Sequence, residues 1–234
     1  GGKCLRCFTC DGFPCQLLAK GDAEACCVRP ALASPRVQLI TRTLARRLIT
    51  DASGKRVIGV EIEREGVRSV LRAGKVVVAC GATNSAALLL RSQSSQHPEG
   101  LANSSGQVGR NYMAHINSTL IAIDPRRENA DTFHKTLSVN DYYLPSAHSP
   151  FPMGNLQIMG KIEANGYIAA HRPHLPLAER QRIARHSTDW WLMTEDLPDA
   201  QNRVTLGSDG SIRVRRQFKN TSAHRRLAFV AEQM

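Results

Sequence analysis

Residues 75–92 of this 234-residue chain, KVVVACGATNSAALLLRS, constrain its fold more than any other stretch. After the charge of Lys75, Val76-Val77-Val78-Ala79 form an unbroken apolar run. Such a run suits a strand buried on both faces, as in a parallel sheet. A turn of small residues follows at Cys80-Gly81-Ala82, and Thr83-Asn84-Ser85 then precede the apolar Ala86-Ala87-Leu88-Leu89-Leu90. Thr83 or Asn84 is placed to cap a helix whose first amides point back over the end of the strand. Strand, tight turn and helix N-terminus, in that order, let backbone approach a nucleotide closely. A cofactor-binding α/β protein is the leading reading.

The flanking pattern supports a mixed fold. Val37-Gln38-Leu39-Ile40-Thr41 reads as a strand. Residues 43–71 read as a three-stranded antiparallel meander with turns at Asp51-Ala52-Ser53-Gly54 and Glu65-Gly66. Within it Ile58, Val60 and Ile62 share one face and Glu61 and Glu63 the other. Ahead of these elements, residues 1–30 are rich in Cys and Gly and suggest a loop leading into a short helix around 19–28. Pro30 and Pro35 bracket a connector. Composition changes near residue 116, which divides the chain into 1–115 and 116–234. In the second part, strands are expected at 116–123, 155–162 and 189–194, a helix at 177–186, and another from Ala223. Val204-Thr205-Leu206 and Ile212-Arg213-Val214 flank a Gly207-Ser208-Asp209-Gly210-Ser211 turn and read as a hairpin. Strand alternation sends Trp191 to the face of Met193 and Trp190 to the other. Core packing of both indoles is the plainer reading; one of them lining a substrate cavity is the alternative.

Charge and length narrow the function classes. The formal net charge is +11, but the basic residues are scattered, with pairs only at Arg46-Arg47, Arg126-Arg127, Arg215-Arg216 and Arg225-Arg226. Aromatics make up 5% and do not interleave with them as a base-stacking platform requires. Solvated surface is the better reading than a nucleic-acid groove. No run approaches the roughly 18 apolar residues of a membrane helix, so no membrane span is expected. The first residues, Gly1-Gly2-Lys3-Cys4, carry neither an initiator Met nor an apolar signal core, as if cut from a longer protein. A soluble protein is expected, cytoplasmic or periplasmic.

Cys4, Cys7, Cys10 and Cys15 follow C-x2-C-x2-C-x4-C. Thiolates so spaced can converge on zinc or an iron–sulfur cluster. The bacterial ferredoxin run differs in its last spacing, and the adjacent Cys26-Cys27 makes a poor second pair for zinc. Structural thiols or a disulfide fit better, and no metal ligand is assigned. A non-enzymatic binding module with a metal-stapled N-terminus and a basic surface is the competing functional class. The histidines form no H-E-x-x-H or other zinc motif. His115 has the right chemistry for a general base but no local partner pattern, so a structural role is preferred. His171 and His174, around Arg172-Pro173, are expected in a loop.

Four segments, in order, resemble the glucose-methanol-choline (GMC) oxidoreductases, FAD-dependent enzymes acting on alcohols and sugars. Cys10-Asp11-Gly12-Phe13-Pro14-Cys15 with Ala19-Lys20-Gly21-Asp22-Ala23-Glu24 resembles a stretch common in bacterial members. Residues 75–92 resemble the second nucleotide-proximal segment. Val108-Gly109-Arg110-Asn111-Tyr112-Met113-Ala114-His115 is similar to a "VGRNLMDH"-like loop, with Ala114 where an acid is usual. Asp196-Leu197-Pro198 through Asn202-Arg203-Val204-Thr205-Leu206 resembles a substrate-domain strand. The resemblance implies part of an FAD-binding, Rossmann-like domain with a β-meander over 1–115, and part of a substrate domain with an antiparallel sheet over 116–234. It implies that Ala45, on the meander strand after Leu39-Ile40-Thr41, lies against the adenine, and that Cys80, Gly81 and Ala82 approach the adenosine of FAD. The family's G-x-G-x-x-G does not occur in the chain, and its catalytic His segment is expected beyond Met234. The whole enzyme would pass a hydride from an alcohol or sugar carbon to flavin. This chain alone would be an inactive internal part of it.

Overall fold

The computed structural model describes residues 2–7, 14–131, 136–145 and 149–234. They form two compact units, each assembled from separated stretches. A meander unit takes residues 38–114 and 197–219; a sheet unit takes 1–37, 115–196 and 220–234. In the N-terminal stretch the Asp22 carboxylate accepts the Ala25 N–H at 2.8 Å, and its carbonyl accepts that of Cys26 at 2.9 Å. This caps a π-helical turn, Glu24–Val28, which runs into α1 (Arg29–Leu32). The helix therefore lies later than 19–28. Pro30 is the second residue of α1 rather than the boundary of a connector.

The meander is as expected from its alternation and turns: β1 (Thr43–Thr50), β2 (Val57–Arg64) and β3 (Val67–Arg72) pair antiparallel in that order. Glu65 and Gly66 join β2 to β3 with φ of 52° and 80°. Two positive φ values give a turn whose twist matches that of the strands. A bulge at Arg46, between the pairs Ala45↔Ile62 and Arg47↔Glu61, was not legible beforehand. An inserted residue turns successive side chains toward one face. Arg46 bonds Glu63 at 2.9 Å and Arg47 bonds Glu61 at 3.0 Å, with Arg68 of β3 adding a contact to each acid. The Arg46 hydrogen bond holds the Glu63 carboxyl below its usual range.

Leu48 of β1, Leu101 and Leu88 of α2 (Gly81–Arg91) form the core of this unit, with Ala45, Val57, Val60, Val76 and Val78 packed against them. Buried Ser92 ties helix to strand: its hydroxyl accepts the Leu48 N–H at 2.8 Å and donates to Leu88 O at 2.7 Å. Two expected strands differ. Residues 37–41 form no strand, and Leu39 is 59% exposed. Residues 75–79 are extended but pair with no described strand. Val76 and Val78 meet the core, while Val77 between them is 86% exposed. Only one face has partners, so alternation decides burial.

The hairpin β8 (Arg203–Leu206) and β9 (Ile212–Arg215) completes the unit. Residues 109–112 lie along β8. Val204 N–H donates to Gly109 O at 2.7 Å and Tyr112 N–H to Asn202 O at 2.9 Å, with a bridge between Arg110 and Arg203. Gly109 has φ 82°, and a Cβ there would collide with the Val204 carbonyl, so a glycine is required. Asn202 is 1% exposed; its carboxamide donates to Gln217 O at 2.8 Å and accepts Gln217 N–H at 2.7 Å.

In the sheet unit β4 (Ile116–Ile123), β5 (Ser138–Val139), β6 (Asn155–Ile158) and β7 (Ser187–Thr194) form an antiparallel sheet in the order β4-β7-β6-β5. Leu156 and Leu192 pack on Leu227 and Ala231 of α5 (Thr221–Glu232), with Met153, Trp190 and Leu120 around them. Short α3 (Ala169–His171) takes in His171, which stacks on Tyr167 with ring centroids 4.0 Å apart instead of lying in a loop. α4 (Leu177–His186) keeps the expected bounds. His224 of α5 is 8% exposed, with Nε2 2.6 Å from Ser118 Oγ and Nδ1 2.9 Å from Thr194 Oγ1. A neutral ring satisfies both by donating at one nitrogen and accepting at the other. Burial lowers its pKa.

Asn202→Ala leaves the Gln217 N–H and carbonyl without their buried partner. It should cost about 1–3 kcal/mol, read as a lower urea midpoint at unchanged slope. His224 carries a pKa lowered below its unfolded value near 6.5, so it contributes stability above that value. The contribution is lost as pH falls through about 6.5 toward the folded value. Urea midpoints at pH 7.5 and 5.5 should therefore diverge more for this chain than for His224→Gln, which removes the titration; equal pH dependence would refute the assignment.

Candidate functional site

The turn at Cys80-Gly81-Ala82 opens α2. Cys80 is the N-cap residue, but its side chain caps nothing; its own N–H donates to Ser85 Oγ at 3.1 Å. Neither Thr83 nor Asn84 supplies the expected cap. The first-turn amides of this 11-residue helix are thus free of side-chain acceptors. Gly81 has φ 76°, and a Cβ built on it would meet nothing within 4 Å. Cys80, Gly81 and Ala82 are all exposed. Open space, a positive helix end and backbone donors coincide here, which suits the close approach of a nucleotide.

Ala45 lies on β1 opposite Ile62, half-buried, and packs on the same leucine cluster as Val76 and Val78. The structure therefore gathers Ala45 and the residues leading into Cys80 on one apolar cluster, with the three turn residues exposed beyond it. Together they offer an apolar wall and exposed backbone amides, with no charged side chain among the four.

In the sheet unit strand alternation separates the two indoles. Trp190 joins the core under α5, whereas Trp191 and Met193 are half-buried on the opposite face. Directly across from Trp191 are Thr119 of β4 and Gln157 of β6. Gln157 Nε2 lies 4.0 Å from Met193 Sδ, and Asn117 stands across from Met193. An indole, a thioether, carboxamides and a hydroxyl make an uncharged amphipathic surface. Further along the same face Asp189 is buried; its Oδ2 accepts the Ile162 N–H at 2.9 Å. Nearby Lys161 donates to Ser187 O at 2.8 Å, and burial lowers its pKa against the opposing pull of Asp189.

The histidines of the described residues serve structure where they have partners. His97 Nε2 bonds Gly54 O at 2.8 Å, and His186 Nδ1 lies 3.1 and 3.0 Å from the carbonyls of Asp124 and Arg127. His224 is the buried one among the described histidines; only the docking of α5 on the sheet reveals it. His115 is exposed just before β4. His134, His148 and Cys10 lie outside the described residues. Cys4, Cys7, Cys15, Cys26, Cys27 and Cys80 are free thiols, and no group of three metal-binding side chains forms among the described residues. Backbone amides, Ala19 N–H first at 3.3 Å, lower the Cys15 pKa. No helix among the described residues is long and apolar enough to cross a membrane.

Comparison with known proteins bears on both units. Residues 2–117 match the family model described as GMC oxidoreductase. Over 220 residues the chain is 31% identical to paromamine 6'-oxidase of Streptomyces fradiae, covering 89% of this chain and 38% of that protein. Over 113 residues it is 41% identical to 6'''-hydroxyparomomycin C oxidase of Streptomyces lividus, 47% of this chain and 21% of the relative. It is also 31% identical over 162 residues to 2-methyl-1,2-propanediol dehydrogenase of Mycolicibacterium austroafricanum, 62% of this chain and 28% of that enzyme. The matches span less than two-fifths of each relative's length. Sequence motifs, family model and oxidase relatives agree: the chain belongs to the GMC oxidoreductase family.

Proposed function

We propose that this chain is part of an FAD-dependent enzyme that oxidises the CH–OH group of an alcohol or sugar. The observation that carries the cofactor half is the start of α2, with uncapped first-turn amides behind a Gly81 whose Cβ position is open. The family match covers this segment. Ala45 is assigned to the adenine, and the backbone of Cys80, Gly81 and Ala82 to the adenosine. When bound, FAD supplies the hydride acceptor; positioning and exclusion of water fall to the protein. Residues 1–115 serve the cofactor and 116–234 the substrate in this reading.

For the substrate half, the Trp191 face offers van der Waals area and neutral hydrogen-bonding groups. Asn117, Thr119 and Gln157 can orient a hydroxyl without charge. Two of the relatives carry a hydroxyl compound in their names, a hydroxyparomomycin and a propanediol, which supports an alcohol or sugar. No residue of this chain is assigned the proton-accepting role, because His115 has no orienting partner among the described residues. The 234-residue chain by itself, which carries no G-x-G-x-x-G, is expected to show no alcohol oxidation.

In protein purified from the complete reading frame, flavin absorbance should be present. Gly81→Val should weaken FAD retention by about tenfold or more, about 1.4 kcal/mol. Gly81→Asn, which tolerates positive φ, should weaken it less; undiminished flavin in the valine variant would refute the assignment. Trp191→Ala should raise KM for the alcohol with flavin content unchanged, and an unaltered KM would remove that face from the substrate site.

A further inference from the structure

Strand β8 carries a charge arrangement that neither cofactor nor alcohol chemistry uses. Arg203 bridges Arg110 on one side and stands directly opposite Arg215 of β9 on the other. Like charges opposite one another across strands repel. Two of the three are relieved locally. Arg110 donates from Nε to Gly106 O at 2.7 Å and from a terminal nitrogen to Ala200 O at 3.3 Å. Arg215 acts on the carboxylate of Asp199, which also bonds Lys219 at 2.6 Å. Arg203 has no such outlet: its Nε is buried without a hydrogen-bond partner among the described residues. A buried, unsatisfied cationic donor calls for an explanation.

Arg110 and Arg203 line one cleft of about 490 Å³ within the meander unit. Its volume lies in the range of small-molecule sites. Apolar side chains of α2 and β8 line part of it, and Gln93, Ser104 and Thr205 add uncharged polar groups. Glu99 is the acid on its lining and forms no ion pair with either arginine. A Cβ at Gly106, also on the lining, would meet nothing within 4 Å. The cleft is thus open, has hydrogen-bond donors, and carries an excess of positive charge. A guanidinium presents parallel N–H groups that match the two oxygens of a carboxylate or phosphate. We propose that this cleft binds the oxyanion of a small molecule, a carboxylate or a phosphate ester, with Arg203 as its main ligand and Arg110 as the second.

The test is binding, not turnover, and so stands apart from the oxidoreductase reading. Inorganic phosphate, methyl phosphate and acetate are titrated separately into the purified chain at constant ionic strength, with chloride as the compensating salt. Melting temperature and calorimetric heat are followed. At least one oxyanion should give a saturable rise in melting temperature, and which one does so separates phosphate from carboxylate. Arg203→Gln should weaken that binding by about tenfold or more, with unchanged circular dichroism. Arg203→Lys, a point charge without the fork, should fall between. Glu99→Gln keeps both arginines and removes a repelling carboxylate, so it should tighten binding, and it serves even where the Arg203 variants fold poorly. A response that follows ionic strength whatever the anion, wild-type affinity in folded Arg203→Gln, or unchanged affinity in Glu99→Gln would each overturn the proposal.

Discussion

The Asn202 carboxamide is the constraint on which much of the meander unit rests. It satisfies both the N–H and the carbonyl of Gln217, and the Asn202 backbone carbonyl takes the Tyr112 N–H. One buried residue thereby holds together three stretches of chain: the 109–112 segment, the start of β8 and the end of β9. Because this unit is built from separated stretches, local propensity cannot assemble it. Buried hydrogen bonds between distant residues supply the missing specificity, since each costs more to break than it contributes when made. The approach of Gly109 to Val204 depends on the same clasp, and so does the meeting of Arg110 with Arg203.

Elements whose signals are local were legible in the sequence. Glu65-Gly66 demanded a tight turn, the alternation of β2 separated Ile58, Val60 and Ile62 from the acids, and α4 was expected to follow Pro173 and Pro176. What required tertiary knowledge was not. Val76-Val77-Val78-Ala79 states what could be buried, but the structure provides a partner for one face only. The Arg46 bulge is invisible because an inserted residue changes register without changing composition. Among candidate site residues, the small-residue turn at Cys80-Gly81-Ala82 carries its own signal. Ala45 does not, and only the family resemblance pointed to it. His224 and the Arg110–Arg203 pair were hidden for a common reason: their neighbours are brought to them by the docking of α5 and by the pairing of β8.

The positive charge of the chain looks different once its geometry is known. The acids of the meander are shared among arginines, as Glu61 and Glu63 are by Arg46, Arg47 and Arg68. Such exposed pairs add little stability individually, but they keep one face of the meander nearly neutral. The excess is therefore not spread evenly. On β8 it is concentrated where like charges face each other, which is why composition alone suggested nothing more than solvated surface.

The extended segment at residues 75–79 has a practical consequence for anyone handling this chain in isolation. With Val77 outward and no described strand beside it, the segment offers both an apolar side chain and a row of backbone donors and acceptors. Such an edge is a template for another copy of itself. Lys75 alone guards one end. Pairing between copies at such an edge would rise with the concentration of the isolated chain.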